Sequence, residues 1–288
     1  MKGNMRAMRI LERQRTELSE GNEKFLLETD DGARIESVLY RDDTLCISSQ
    51  VGCGVRCPFC ASGAHGVDRN LTLDELEAQV RVVSETLALE GRAKVTRLTV
   101  SGAGEPLHNH EAVFAFVRAA HSRKQLASLT TTGAPIARLP LWLTNSFHNG
   151  LTISVHAGTE EIRARLVPKG PSLASLFGVL DAEVPNLPTR REKKLALAYL
   201  AIEGENDTDE EVDAFIARVL PLGLRVHLYA HNAVPTSVHR GVSRERYEAM
   251  YARMSTAGLR VRMSAQARLE ANGGCGTLVA LRRSAAMV

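Results

Sequence analysis

Four of the five cysteines in this chain fall between Cys46 and Cys60, and the fifth, Cys275, stands near the far end. Cysteines used as small apolar core residues scatter along a sequence, so the clustering asks for chemistry. Within it, Cys53-Gly-Val-Arg-Cys57-Pro-Phe-Cys60 sets three thiols on one loop, with gaps of three and then two residues. Soft thiolates at this spacing select zinc or an iron–sulfur cluster. A structural zinc site closes with a fourth cysteine or histidine, and Cys46 and His65 are both available. Zinc knuckles favour paired Cys-x-x-Cys units, whereas three thiolates on a four-iron cluster leave one iron open to a ligand. The odd cysteine count, with no export signal in the basic stretch from Met1 to Arg15, argues against a disulfide framework.

The rest of the chain says what carries that loop. Its 288 residues are 44% hydrophobic and 24% charged, the balance of a soluble globular protein, and no apolar run is long enough for a bilayer. The expectation is a cytoplasmic protein with no membrane contact. Phe25 to Tyr40 alternates around Asp31-Gly32, a hairpin signal. Thereafter short apolar runs (Arg97–Val100, Leu129–Thr132, Leu151–Val155, Leu195–Ile202, Val226–Tyr229) alternate with helical stretches. Thr72-Leu-Asp-Glu75 and Thr208-Asp-Glu-Glu211 are capping boxes, and Ser243 opens a helix that Gly258 stops. Strand–helix alternation predicts an α/β fold with a parallel sheet, either a barrel or a doubly wound sheet. In both, ligands sit at the carboxyl ends of the strands, where Gly102–Glu105, Thr130–Gly133 and His156 fall.

The cysteine spacing, with Phe59 just before the last cysteine, resembles the radical S-adenosylmethionine (radical SAM) superfamily. Reading outward, Thr44 to Cys53, Arg69-Asn-Leu71, Gly104-Glu-Pro-Leu107, Ser154-Val-His-Ala157, Glu161-Ile-Arg163, Val167-Pro168 and Cys275-Gly-x-Leu278 resemble the RlmN/Cfr methyltransferases, in order from about Phe25 to Leu278. The resemblance implies a partial (β/α)6 radical SAM barrel. The implied organisation is a basic arm over 1–20, a small β-hairpin adapter over 21–45 and a core over 46–288 ending in a carrier-cysteine loop. It implies a [4Fe-4S] cluster on Cys53, Cys57 and Cys60, SAM chelated to the open iron, and an external reductant such as flavodoxin or ferredoxin.

The family methylates sp2 carbons of adenine, which are not nucleophilic, and uses SAM twice. One SAM methylates a cysteine. A second supplies a 5′-deoxyadenosyl radical that activates that methyl group. A second cysteine then resolves the protein–substrate crosslink by forming a disulfide. By position Cys275 is the methyl carrier and Cys46 the resolving thiol, with Glu36 aligned to a glutamate proposed as base. Gly104 and Glu105 match the pair that binds the SAM amino group, and Thr130, Ser154, Val155, His156 and Asn232 match further SAM contacts. Phe59 packs against the adenine or simply fills core. Read without the resemblance, Cys275 is a small buried apolar residue, Cys46 an inward strand residue, Glu36 an exposed strand glutamate, and the others routine polar positions at strand ends.

The chain departs from the family where substrate would lie. Only about twenty residues precede the hairpin, so a short member without the N-terminal accessory domain is expected. Ser101 and Ala103 stand where members usually carry methionines, His231-Asn-Ala-Val234 replaces Trp-Asn-Pro-Phe, and Ala267 to Ala271 replaces Arg-Gly-x-Asp-Ile. A net charge of +3 and 5% aromatic residues are thin for RNA binding. The preferred sequence reading is therefore methylation of a small heteroaromatic, a nucleotide or natural-product intermediate. The alternative is the same chemistry at C2 or C8 of an adenosine in ribosomal or transfer RNA, and a third reading is a non-catalytic iron–sulfur or RNA-binding relative.

Overall fold

A computed structural model of the chain describes residues 8–15, 22–234, 236–264 and 279. Three strands come first: β1 (Arg9–Arg15), β2 (Glu23–Glu28) and β3 (Arg34–Tyr40) pair antiparallel, with Gly32 in the left-handed region at φ +80° turning β2 into β3, and β2 and β3 are buried along almost their whole length. The Arg-rich stretch expected to be an arm over 1–20 is, over 9–15, an edge strand paired to β2. Next come β4 (Thr44–Ile47), a two-stranded clasp of β5 (Gln50–Gly52) and β6 (Val67–Asn70), and α1 (Leu73–Leu89). The adapter–core boundary placed at 45/46 thus falls inside β4.

The remainder alternates as β7 (Arg97–Val100), α2 (His110–Ser122), β8 (Leu126–Thr131), α3 (Leu139–Thr144), β9 (Gly150–Ser154), α4 (Glu160–Leu166), α5 (Leu173–Glu183), α6 (Thr189–Glu192), β10 (Leu195–Ala201), α7 (Asp209–Val219), β11 (Arg225–Ala230), α8 (Arg244–Thr256) and β12 (Arg260–Met263). The large sheet runs β1-β2-β3-β4-β7-β8-β9-β10-β11-β12, and every pair from β4 onward is parallel. The six barrel strands expected are β4 and β7 to β11, and β12 adds a seventh. Among the described residues β1 and β12 do not pair, so the barrel is open.

Register sorts the two faces of this sheet. Ile47, Val100, Leu129, Ile153, Leu197 and Leu228 point outward into the helices, where Leu76, Phe116, Trp142, Leu176, Phe215 and Met250 are buried against them. Each such side chain contributes on the order of 2 kcal/mol by leaving water, and Phe116→Ala would cost about 3–5 kcal/mol once its cavity is counted. The inward face carries small or polar residues instead: Cys46 opposite Thr99, Thr99 opposite Ser128, Thr130 opposite Thr152 and Ser154 opposite Ala198. The lumen is therefore left polar and narrow-walled beneath the strand ends.

Capping follows sequence in one helix and departs from it in another. At α1, Thr72 Oγ1 accepts from the Glu75 amide at 3.3 Å and the Glu75 carboxylate accepts from the Thr72 amide at 2.8 Å, a complete box. At α7, Thr208 caps, but the Glu211 carboxylate accepts instead from the amides of Gly158 (2.5 Å) and Thr159 (3.1 Å). That choice ties α7 to the loop after β9, at the mouth of the barrel.

Candidate active site

The cysteine loop leaves β5 and returns on β6. Gly52 sits at φ +79° against the Gly66 carbonyl, which leaves no room for a side chain, and the Cys53 amide donates to that same carbonyl at 2.8 Å. Inside the loop the Cys60 amide donates to the Cys57 carbonyl at 3.1 Å. Val55, Phe59, Leu166, Val167 and Ile202 form a small apolar cluster on which all three cysteines pack, so helix α4 backs the loop. Burial pushes the Cys53 thiol up to about 12, and it pushes Cys57 well up, with the charges of Cys60 and Cys53 adding to it. The three sulfurs thus feel one another, and a metal centre must displace their protons.

These donors fit a cluster better than a zinc ion. Among the described residues no three His, Cys, Asp or Glu side chains converge as a single metal ion would need. The two proposed fourth ligands are elsewhere: Cys46 is buried on β4 with its sulfur 3.2 Å from the Ser101 hydroxyl, and His65 is exposed. Three soft thiolates with no fourth ligand beside them among the described residues suit an iron–sulfur cluster with one open iron.

Gly104-Glu105 lies across from the loop. Gly104 is at φ +107°, and a Cβ there would lie 2.7 Å from the Gln50 amide nitrogen. The Glu105 amide donates to Gln50 Oε1 at 2.9 Å, which fixes the backbone against β5. Its carboxylate is 2% exposed and accepts four hydrogen bonds: from the Thr131 hydroxyl, the Thr132 amide (2.7 Å), the Thr132 hydroxyl (2.7 Å) and the Leu107 amide (3.1 Å). Burial pushes this carboxyl up while the four donors pull it down. Sequence reasoning singled out Thr130, whose half-buried side chain faces the lumen opposite Thr152; the hydroxyls that hold Glu105 are those of the next two residues, Thr131 and Thr132.

At the end of β9, Ser154 and His156 are 8% and 7% exposed and Val155 is fully buried. One buried arginine gathers this region. Arg163 on α4 donates from Nη1 to the carbonyls of Ser154 (2.7 Å) and Val155 (2.8 Å), from Nη2 to that of Thr132 (3.1 Å) and from Nε to that of Pro171 (3.0 Å). Burial pushes it down to about 10, and its charge acts on Cys57 and His156. His156 takes the left-handed conformation at φ +59°, a strained choice for a non-glycine residue. Its Nδ1 accepts from the Leu200 amide at 3.1 Å, and Asn206 Nδ2 donates to its carbonyl at 2.8 Å. Burial, then the charge of Arg163, pushes it down to about 3, so the ring is neutral. Phe59 stands edge-on to His156 and His231, with ring centroids 5.6 and 6.4 Å away, so it belongs to the small apolar cluster and to this histidine pair. Asn232 follows His231, half-buried, after β11.

Glu36 is not the exposed strand glutamate of the residue-by-residue reading. It is 2% exposed and its Oε1 lies 3.5 Å from Nζ of Lys24, itself 2% exposed. Lys24 and Cys46 both stand opposite Val38, so Lys24, Glu36 and Cys46 share the lumen face. Cys46, Cys53, Cys57 and Cys60 form no disulfide with one another, and Cys275, with the disulfide expected of it, lies outside the described residues. The structure therefore gathers the cysteine loop, Gly104-Glu105, Thr130, Ser154 to His156 and Asn232 at the carboxyl ends of the strands, and sets Glu36 and Cys46 in the wall beside them. Arg163, Thr131, Thr132, Asn206 and Lys24 received no individual role from sequence, although Arg163 lies in a stretch that resembles the family and Thr131 and Thr132 lie at a strand end. Their partners are backbone groups or residues distant in the chain.

No helix among the described residues is long and apolar enough to cross a membrane. The model of the radical SAM superfamily matches residues 47–216. A dual-specificity RNA methyltransferase RlmN of Magnetococcus marinus is 32% identical over 270 residues, covering 90% of this chain and 74% of its own. A namesake from Syntrophobacter fumaroxidans is 30% identical over 284 residues, covering 95% and 80%. Among solved structures, a radical SAM methyltransferase from Sphaerobacter thermophilus superposes with a TM-score of 0.83 at 27% identity, over 94% of this chain and 80% of that one.

Proposed function

Because the chain belongs to the radical SAM superfamily and, within it, to the RlmN family of RNA methyltransferases, we propose that it methylates a ring carbon of an adenosine in ribosomal or transfer RNA, through a cysteine carrier. It is an enzyme that works with a [4Fe-4S] cluster and SAM. The observation that carries the RNA reading is similarity to RNA methyltransferases along nine-tenths or more of the chain. That similarity outweighs the preference for a small heteroaromatic, which rested on weak overall charge, few aromatics and a handful of replaced positions.

Cys53, Cys57 and Cys60 would hold the cluster, and Gly104, Glu105, Thr130, Ser154 to His156 and Asn232 the SAM. When bound, the pair supplies a 5′-deoxyadenosyl radical, with the electron drawn from an external reductant of the flavodoxin or ferredoxin type. The protein's part is then placement. Glu105 presents a carboxylate whose four acceptor sites are already filled, so a ligand ammonium reaches it by replacing a donor, the Thr132 hydroxyl being the one whose loss leaves no backbone amide unpaired. Arg163 holds the ends of β8 and β9 at one height by bonding to both. Cys275 carries the methyl group, Cys46 resolves the crosslink, and Glu36, kept in the wall by Lys24, takes the ring proton.

The test is a methylation assay with cluster-loaded protein, SAM and reductant. Unmodified ribosomal and transfer RNA are offered beside free adenosine and AMP, and digested nucleosides are read by mass spectrometry. A methyladenosine from RNA alone supports the reading. Methylation of the free nucleotides with RNA untouched would return the small-molecule reading.

A further inference from the structure

Cys46 does not sit in an apolar wall. Its sulfur is 3.2 Å from the Ser101 hydroxyl, whose oxygen is 3.1 Å from the Thr99 hydroxyl. The register makes this arrangement: Cys46 on β4 pairs with Thr99 on β7, so both point into the lumen, and Ser101 is the next residue of the chain on that face. Gly102 then locks the end of β7 onto β4. Its amide donates to the Ile47 carbonyl at 3.0 Å, and a Cβ on it would lie 2.9 Å from that oxygen. Ser101 cannot drift away from Cys46 without breaking this join. The order of donors is set once the sulfur loses its proton: Ser101 donates to the thiolate, and its oxygen is left to accept from Thr99. Hydrogen bonds linked in this way strengthen one another, and a bond to a charged acceptor is worth more than a neutral one.

We infer that Ser101, backed by Thr99, is a positioning residue for the Cys46 thiolate in the step that releases product. The inference rests on the reading of Cys46 as the resolving thiol and goes beyond it. In that step Cys46–SH and the crosslink Cys275–S–CH2–adenine give Cys46–S–S–Cys275 and CH3–adenine. A sulfur–sulfur bond forms and a sulfur–carbon bond breaks, with the electron pair passing to the methylene carbon. The two sulfurs are oxidised, the carbon is reduced, and the proton lost by the thiol is matched by the one the carbon gains. The bond from Ser101 favours the charged sulfur that the attack requires and holds it at one place on the lumen wall.

The test follows decay of the covalent adduct in a single turnover, quenched and trimmed with nuclease before intact-protein mass measurement. The cluster-loaded full chain is given in vitro transcribed ribosomal and transfer RNA across a range of pH. For Ser101→Ala the adduct should decay about tenfold more slowly at neutral pH, the weight of one hydrogen bond to a charged group, with the gap closing as alkali ionises the thiol directly. Ser101→Thr should stay within about threefold of the native rate, and Thr99→Val should slow it by a few-fold. These two carry the comparison if Ser101→Ala does not fold. Decay of Ser101→Ala at the native rate at every pH, or Ser101→Thr as slow as the alanine variant, overturns the inference while leaving the resolving thiol in place. Unchanged decay in Cys46→Ala removes the premise itself and overturns both.

Discussion

The rim of the barrel and its lumen wall are built on different plans. At the rim, the residues proposed to hold SAM, and the arginine behind them, are tied largely to backbone: Glu105 to two amides beside two threonine hydroxyls, Arg163 to four carbonyls, His156 to the Leu200 amide. In the wall, side chains are tied to side chains: Lys24 to Glu36, and Cys46 to Ser101 to Thr99. Backbone partners do not move without the strands moving, so the rim is suited to holding cofactors still. Side-chain partners exchange protons and donors one at a time, which suits groups that must change state during a reaction. The difference suits the proposed division, with placement in one region and chemistry in the other.

The largest effect should come from the rim. Cys57→Ala should abolish cluster loading and, with it, reductive SAM cleavage, read by iron content and 5′-deoxyadenosine release. Persistence of a full cluster would mean that the loop is not its holder. In the wall, Lys24→Met takes away the ion-pair partner of a buried carboxylate and should destabilise the fold by about 3–5 kcal/mol in denaturant unfolding. Pairing it with Glu36→Gln should recover most of that loss. If the double variant is no more stable than the single one, the pair is not what holds Lys24 and Glu36 in the wall.

A pH series separates the regions next. The folded-state value of His156 is pushed down to about 3, below its ordinary value, so the native state excludes a proton that the unfolded chain accepts. Its contribution to stability is fully present above about pH 6.5 and is lost as pH falls from there toward 3. The slope of stability against pH in that window should be shallower in His156→Asn than in the native chain, and equal slopes would remove His156 from the account. The smallest effect is expected for Thr132→Val, which deletes one of four donors to Glu105. SAM should bind within a few-fold of its native affinity, since the incoming ammonium replaces that donor. A loss of a hundredfold would show the hydroxyl to be part of the SAM site itself.

The fold was largely legible in the sequence because parallel strands and capped helices leave local marks: the apolar runs from Arg97 to Tyr229, the box at Thr72 and the stop at Gly258 are all where the pattern put them. The arm over 9–15 was misread because an edge strand with one exposed face carries so many charges that it resembles a tail. Among candidate site residues, the cysteine spacing and Gly104-Glu105 announced themselves. The burial of Glu36 did not, since a charge in the wall is paired through Lys24 on a neighbouring strand. That Thr131 and Thr132 hold Glu105 while Thr130 faces the lumen opposite Thr152 is visible only once the fold and its register are known.

The central claim is that Cys275 carries the methyl group, and the most direct measurement is peptide mass spectrometry on the chain isolated anaerobically from cells. The account predicts a single added methyl on Cys275, absent from Cys46, Cys53, Cys57 and Cys60. An unmodified Cys275, even after incubation with SAM and reductant, would contradict it.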